Sequence, residues 1–279
     1  MRLVDVGKAV DPGRVPVGRR EDGAVWGLPV LGSHVLVAGV TGSGKGSVLW
    51  SLLAGLAVPI HEGTVAVWAV DPKGGMELGP GRALFARFAA EGFEEMARVF
   101  EDAVEVMRER AGRLAGVTRL HRPTVEDPLI VVVVDELANL TAYLPDRKLR
   151  ERITQSVSLL LTQGRAVGVT VVAALQDPRK DVVTFRNLFP TKVALRLDEA
   201  THVDMVLGDG ARGMGGHADS IPASTPGVGY VRVDGVREPV RVRAAHVTDA
   251  DLAELAVSHP APVGDAPSAT VPDEPSSAA

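Results

Sequence analysis

The chain has 279 residues, 46% of them hydrophobic and 23% charged, which suffices for one large domain with a sizeable core. It contains no cysteine, excluding a disulfide scaffold, a thiolate nucleophile and Cys-ligated zinc, and its 7 histidines include no i, i+4 metal pair. The net charge of −5 gives no overall nucleic-acid signature; with no apolar signal core and no stretch near the ~18 apolar residues of a membrane helix, a cytoplasmic protein is expected.

The first expected element is a β-hairpin over Val15–Val30, turning at Glu21-Asp22-Gly23. A short apolar run, His34–Ala38, reads as a strand ending at Gly39, and Ser47–Ala57 as a helix. Thr64–Val70 reads as a Val-rich strand ending at Asp71-Pro72. Over Glu91–Leu114 the residues Phe93, Met96, Ala97, Phe100, Val104, Met107, Ala111 and Leu114 recur at steps of three and four, predicting an amphipathic helix with that stripe inward. Leu129–Val134 is six consecutive aliphatics, the pattern of a strand buried on both faces. Asp146–Arg165 predicts a second amphipathic helix with Leu149, Ile153, Val157, Leu160 and Leu161 inward. Strands are expected at Thr170–Leu175 and Lys192–Leu197, and a closing hairpin at Gly227–Val242 with its turn at Asp234-Gly235. Strands alternating with helices imply an α/β fold, a mainly parallel sheet covered on both faces. The expected division is a lead-in over 1–32, a core over 33–257 and a Pro/Ala/Ser-rich disordered tail over 258–279.

Charge is unevenly spread. Between Pro145 and Arg196 there are 10 Lys/Arg against 4 Asp/Glu, which suits a local contact surface or a solvated helix face.

The most specific motif is Gly39-Val40-Thr41-Gly42-Ser43-Gly44-Lys45-Gly46-Ser47. Its G-x-x-x-x-G-K spacing, after a strand and before a helix, is that of a phosphate-binding loop. Glycines let backbone N–H groups turn inward around phosphate oxygens, Lys45 adds a point charge for the β- and γ-phosphates of ATP, and the helix N-terminus adds its positive end. One position departs from the usual pattern. The residue after the lysine is commonly Ser or Thr, whose hydroxyl ligates Mg²⁺, but here it is Gly46, followed by Ser47. One helical step turns a side chain by about 100°. Either a water fills the vacant ligand position or the loop shifts so that Ser47 reaches the metal.

The complementary element is Leu129–Val134 followed by Asp135-Glu136, a buried strand delivering two carboxylates to the sheet edge where α/β folds place ligands. Asp135 suits the Mg²⁺ shell, and Glu136 suits polarising the water that attacks the γ-phosphate. Gln176, ending the Thr170–Leu175 strand, can hydrogen-bond the γ-phosphate or that water, or is an ordinary strand-end polar residue. Arg165, taken alone, reads as a surface arginine or a helix C-terminal charge.

These residues, together with Val70-Asp71-Pro72-Lys73 and Glu77-Leu78, Gly164-Arg165-Ala166-Val167-Gly168, Ala173–Pro178, Pro190–Ala194 and Gly213-Met214-Gly215, resemble the FtsK/SpoIIIE family of DNA translocases. The resemblance spans roughly Val15 to Val247. The chain's short form is similar to transfer proteins of the TraSA type from actinomycete conjugative and integrative elements. The resemblance implies a RecA-like ATPase core that assembles as a hexameric ring around double-stranded DNA and moves along it by hydrolysing ATP. It makes Arg165 a candidate finger acting on a neighbour's ATP, and Asp177–Arg186, with Arg179 and Lys180, a candidate loop on DNA phosphates. Asp177 stands where the family often has Arg. Neither a membrane anchor nor a DNA-reading winged-helix domain is evident, so sequence-directed orientation on DNA, or association with a membrane, would need a partner. The alternatives are a secretion-type ATPase acting on a protein cargo, a nucleotide-dependent binding module with little turnover, and a small-molecule kinase.

Overall fold

The computed structural model describes residues 10–179 and 184–262. Ten strands form one sheet: β1 Val15–Arg20, β2 Val25–Leu28, β3 Val35–Ala38, β4 Val65–Val70, β5 Arg87–Ala89, β6 Leu129–Val134, β7 Val169–Leu175, β8 Thr191–Leu195, β9 Val228–Arg232 and β10 Val240–Ala244. Their order is β2-β1-β10-β9-β8-β3-β7-β6-β4-β5. The six strands from β8 to β5 run parallel, and β9, β10, β1 and β2 extend the sheet antiparallel beyond β8. Both expected hairpins form, and they join each other through β1–β10 pairing.

The helices are α1 Lys45–Gly55, α2 Ala57–His61, α3 Phe93–Leu114, α4 Leu137–Thr141, α5 Arg147–Gln163, α6 Ala200–Leu207 and α7 Asp249–Ser258. They cover both sheet faces, so every residue of β3, β4, β6 and β7 is buried. Side-chain alternation along the strands divides the interior in two. Leu36, Ala38, Ile130, Val132 and Val134 face the α3–α6 layer, whereas Val35, Val37, Leu129, Val131 and Val133 face α1, α2 and α7. Among the described residues no helix is long and apolar enough to cross a membrane.

Two expectations change at element ends. The α3 stripe holds from Met96 to Met107, but Phe93 and Ala111 are exposed and Leu114 is only partly covered. Past Met107 the helix overruns the apolar sheet and meets the polar ends of strands. The buried residue there is Arg110, which donates to the carbonyls of Gly168 (2.9 Å) and Pro128 (2.7 Å) and pairs with Asp127 (2.7 Å). At the C-terminus, α7 begins at a capping box between Thr248 and Asp251. Residues 259–262, expected to open the disordered tail, lie against the body, with Ala261 N–H donating to Ala83 O at 2.7 Å. The rest of the tail, 263–279, lies outside the described residues.

Candidate functional site

Neighbouring parallel strands bring their C-terminal ends to one edge, and the site is built on that edge. Gly39 N–H donates to Leu175 O and Val40 N–H to Arg196 O, each at 3.0 Å, so both strands flanking β3 hold the loop. Gly42 (φ 72°) and Gly44 (φ 97°) take left-handed conformations that a side chain would strain. A Cβ on Gly44 would also collide with the backbone of Gly227, whose N–H donates to Ser43 O at 2.8 Å and braces the loop from behind. No side chain caps the start of α1 and its first turn holds no acid, so its N-terminal N–H groups are open to an anion. Lys45 Nζ donates to Gly39 O (2.8 Å) and Val40 O (3.2 Å). Burial holds its ammonium below the ordinary lysine range, against the opposing pull of Glu136, Asp135 and Glu77.

The expected carboxylates lie beside the loop. Asp135 and Glu136 are both 3% exposed at the end of β6. Asp135 Oδ2 accepts from Lys73 Nζ at 2.6 Å. Burial pulls Lys73 down, but the hydrogen bond and charge of Asp135, with Glu136 and Asp71, hold it above the usual lysine value. Glu136 Oε1 accepts the Gln176 N–H at 3.3 Å, while Glu136 Oε2 and Ser43 Oγ are buried without a protein hydrogen-bond partner. Burial pushes the Glu136 carboxyl above the ordinary range, outweighing that hydrogen bond and the charges of Lys73 and Lys45. Gln176 Oε1 accepts from Thr41 Oγ1 at 3.1 Å, tying the end of β7 to the phosphate loop.

Residues from the end of β4 complete the site, although no chemistry was read from them in the sequence. Asp71, fully buried, accepts the N–H groups of Lys73 (3.0 Å), Glu77 (3.0 Å) and Leu78 (2.9 Å) and so shapes the loop between them. That loop sends Lys73 and Glu77 into a cleft of about 590 Å³ lined also by Lys45, Gly46, Ser47, Asp135 and Gln176. Burial, and next the charge of Asp135, raise the Glu77 carboxyl above its usual range. β4–β6 pairing predicts the meeting, since Val70 lies opposite Val134 and puts Asp71 beside Asp135.

The donors around the cleft fit a hard divalent cation. Asp135 and Glu77 offer carboxylates and Ser47 a hydroxyl. Among the described residues no group of three or more His, Asp or Glu could hold a metal alone. Phosphate oxygens would have to complete the shell, as Mg²⁺ sites commonly arrange.

Two expected residues lie away from the cleft. Arg165 sits ahead of β7, at the opposite sheet edge, half-exposed and 3.9 Å from Asp234. Its charge, second to burial, depresses the pKa of buried His34 to about 3. Arg179 turns back on Asp177, donating to both carboxylate oxygens through Nε at 2.9 Å, and Tyr143 Oη donates to Asp177 at 3.1 Å. Lys180 lies outside the described residues.

Residues 9–122 match the model of the FtsK/SpoIIIE family. Transfer protein TraSA of Streptomyces ambofaciens is 30% identical over 272 residues, covering 89% of this chain and 64% of TraSA. DNA translocase FtsK of Mycobacterium leprae is 30% identical over 247 residues, covering 78% of this chain and 27% of FtsK. The chain thus spans less than two thirds of the length of either relative. Among solved structures, the pCW3 conjugation coupling protein TcpA, in a monomer form with ATPγS, superposes with a TM-score of 0.72 at 22% identity. That match covers 90% of this chain and 73% of TcpA. The fold is therefore that of a P-loop ATPase, and the resemblance carried by the motifs is borne out: the chain is a relative of the FtsK/SpoIIIE family.

Proposed function

We propose that the chain is an ATP-hydrolysing motor that assembles as a ring and translocates double-stranded DNA, in conjugative element transfer or chromosome segregation. The observation that carries the reading is the convergence of the phosphate loop, Asp135 and Gln176 at one cleft, with Glu136 buried behind it and accepting the Gln176 N–H. The names of its relatives, a transfer protein and a DNA translocase, support the cargo.

Lys45 gives up the Gly39 and Val40 carbonyls for the β- and γ-phosphates of ATP, while the N–H groups at the start of α1 take further phosphate oxygens. Asp135, with the cleft's other oxygen donors, would hold Mg²⁺, which supplies neutralisation of the phosphate charge. Glu136 accepts the proton of the water whose oxygen bonds to the γ-phosphorus, as the bond to the β–γ bridging oxygen breaks and ADP leaves. Burial suits Glu136 to this, because a carboxylate with a raised pKa is the stronger base. Gln176 joins Glu136 to Thr41 and links that step to the phosphate loop. Arg165 acts on the ATP of the neighbouring subunit.

The test is steady-state ATP hydrolysis over a range of protein concentrations, with and without long duplex DNA, at two salt concentrations. Lys45→Ala serves as the blank and should lose turnover. DNA stimulation that is salt-sensitive and of higher order in protein is expected; a rate indifferent to DNA refutes the DNA motor. One observation favours a protein cargo instead, namely the Asp177–Arg179 pair, which offsets positive charge on the candidate DNA loop. Stimulation by a peptide rather than by DNA would select that reading.

A further inference from the structure

The substitution of glycine for the loop's usual hydroxyl residue is matched by a second residue. A Cβ added to Gly46 would overlap Glu77 Oε1, so the carboxylate fills the space into which a serine or threonine at position 46 would extend. Its placement is built in. Asp71 holds the Glu77 and Leu78 N–H groups at 3.0 and 2.9 Å, and Leu78 is fully buried beside it. The same cleft holds Asp135, where a cation, the Lys73 ammonium, already stands 2.6 Å from Oδ2. Nearby, Glu136 Oε2 and Ser43 Oγ are buried side-chain atoms without a protein partner. Ser47 is a weaker substitute. It begins about 100° further round the helix and also borders a separate cavity with Pro226, Gly227, Arg243 and His246.

We propose that Glu77 replaces the hydroxyl missing at Gly46, its carboxylate joining Asp135 in holding the divalent cation of a bound nucleoside triphosphate. One or two carboxylates plus phosphate oxygens is a common Mg²⁺ arrangement, and a charged ligand supplies the affinity that the glycine forfeits. A side chain at 46 would displace the Glu77 carboxylate from its present position, since the two occupy one space. This assignment rests on the nucleotide reading of the cleft given above.

The test uses the full chain, ATPγS and Mn²⁺, with bound Mn²⁺ counted by electron paramagnetic resonance and metal-free ATPγS binding measured by calorimetry in EDTA. Glu77→Gln should weaken Mn²⁺ binding to the ATPγS complex at least tenfold while metal-free ATPγS affinity stays within twofold. Gly46→Ser/Glu77→Ala should recover most of the lost Mn²⁺ affinity, since the new hydroxyl then has room. Unchanged Mn²⁺ affinity in Glu77→Gln overturns the assignment and leaves the nucleotide reading standing. Equal loss of metal-free ATPγS binding also overturns it, by showing that Glu77 only shapes the loop. Failure of the unaltered chain to bind ATPγS under any condition removes both.

Discussion

Glu136→Gln should make the protein more stable and less active. The carboxylate is 3% exposed, has one protein hydrogen bond at 3.3 Å, and leaves Oε2 unpartnered. The amide would still leave one atom unpartnered, but it removes the buried charge, whose desolvation the charges of Lys73 and Lys45 offset only in part. That relief is on the order of 1 kcal/mol. For a chain of this size that raises Tm by about 2–4 °C. The pH dependence has a definite sign. The folded carboxyl titrates above the ordinary 4.5 because of burial, so the folded state binds its proton before the unfolded state does. Wild-type stability from this group is full below pH 4.5 and is lost as pH rises through the raised value. The advantage of Glu136→Gln is therefore largest near pH 8 and vanishes below pH 4.5. Calorimetric melts at pH 4, 6 and 8 measure it, alongside turnover, which should fall about 10²–10⁴-fold if Glu136 is the base. A variant less stable at pH 8 would refute the burial argument; turnover within tenfold of wild type would refute the role.

Arg110→Met should cost about 3–5 kcal/mol, since it strands the Gly168 and Pro128 carbonyls and the buried side of Asp127; urea unfolding measures this, and a loss under 1 kcal/mol would mean that water satisfies those groups. Arg165→Ala should leave ATPγS affinity within twofold, because the side chain lies at the far sheet edge, while DNA-stimulated turnover falls at least a hundredfold. Full stimulated turnover in that variant would remove Arg165 from the mechanism.

The phosphate loop, the Asp135-Glu136 pair and Gln176 were legible because each is a short contiguous string attached to a strongly apolar strand. Their convergence follows from adjacent parallel strands, β3, β7 and β6, in the observed order. Glu77 and Lys73 were legible only as part of a resemblance. Their chemistry depends on β4 lying next to β6, and no local pattern states which strands are neighbours. Arg110 escaped for a different reason. Periodicity counts apolar residues, so it carried the α3 stripe to Ala111 and Leu114, where the helix had already passed the apolar part of the sheet. The acidity of Asp177 was visible, but not that it would hold Arg179 two residues on.

The placement of Arg165 constrains the finger role proposed for it. β7 runs from Val169 near Arg165 to Leu175, whose carbonyl binds the phosphate loop. Six steps at about 3.3 Å put these ends about 20 Å apart, well beyond the reach of one arginine side chain. The β6 and β7 interior between them is filled with buried aliphatics, so no modest loop movement closes the distance. If Arg165 touches a γ-phosphate, that phosphate belongs to another subunit, whose cleft faces the strand-start edge of this one. On that proposal the Asp234 contact would be the one that Arg165 leaves on docking. At 3.9 Å and largely exposed on both sides, it is too weak to hold Arg165 against a phosphate, and it can release the guanidinium when the neighbour docks. Asp234→Asn should therefore leave stimulated turnover at or above the wild-type rate, whereas an arginine held in place by that carboxylate would lose activity with it.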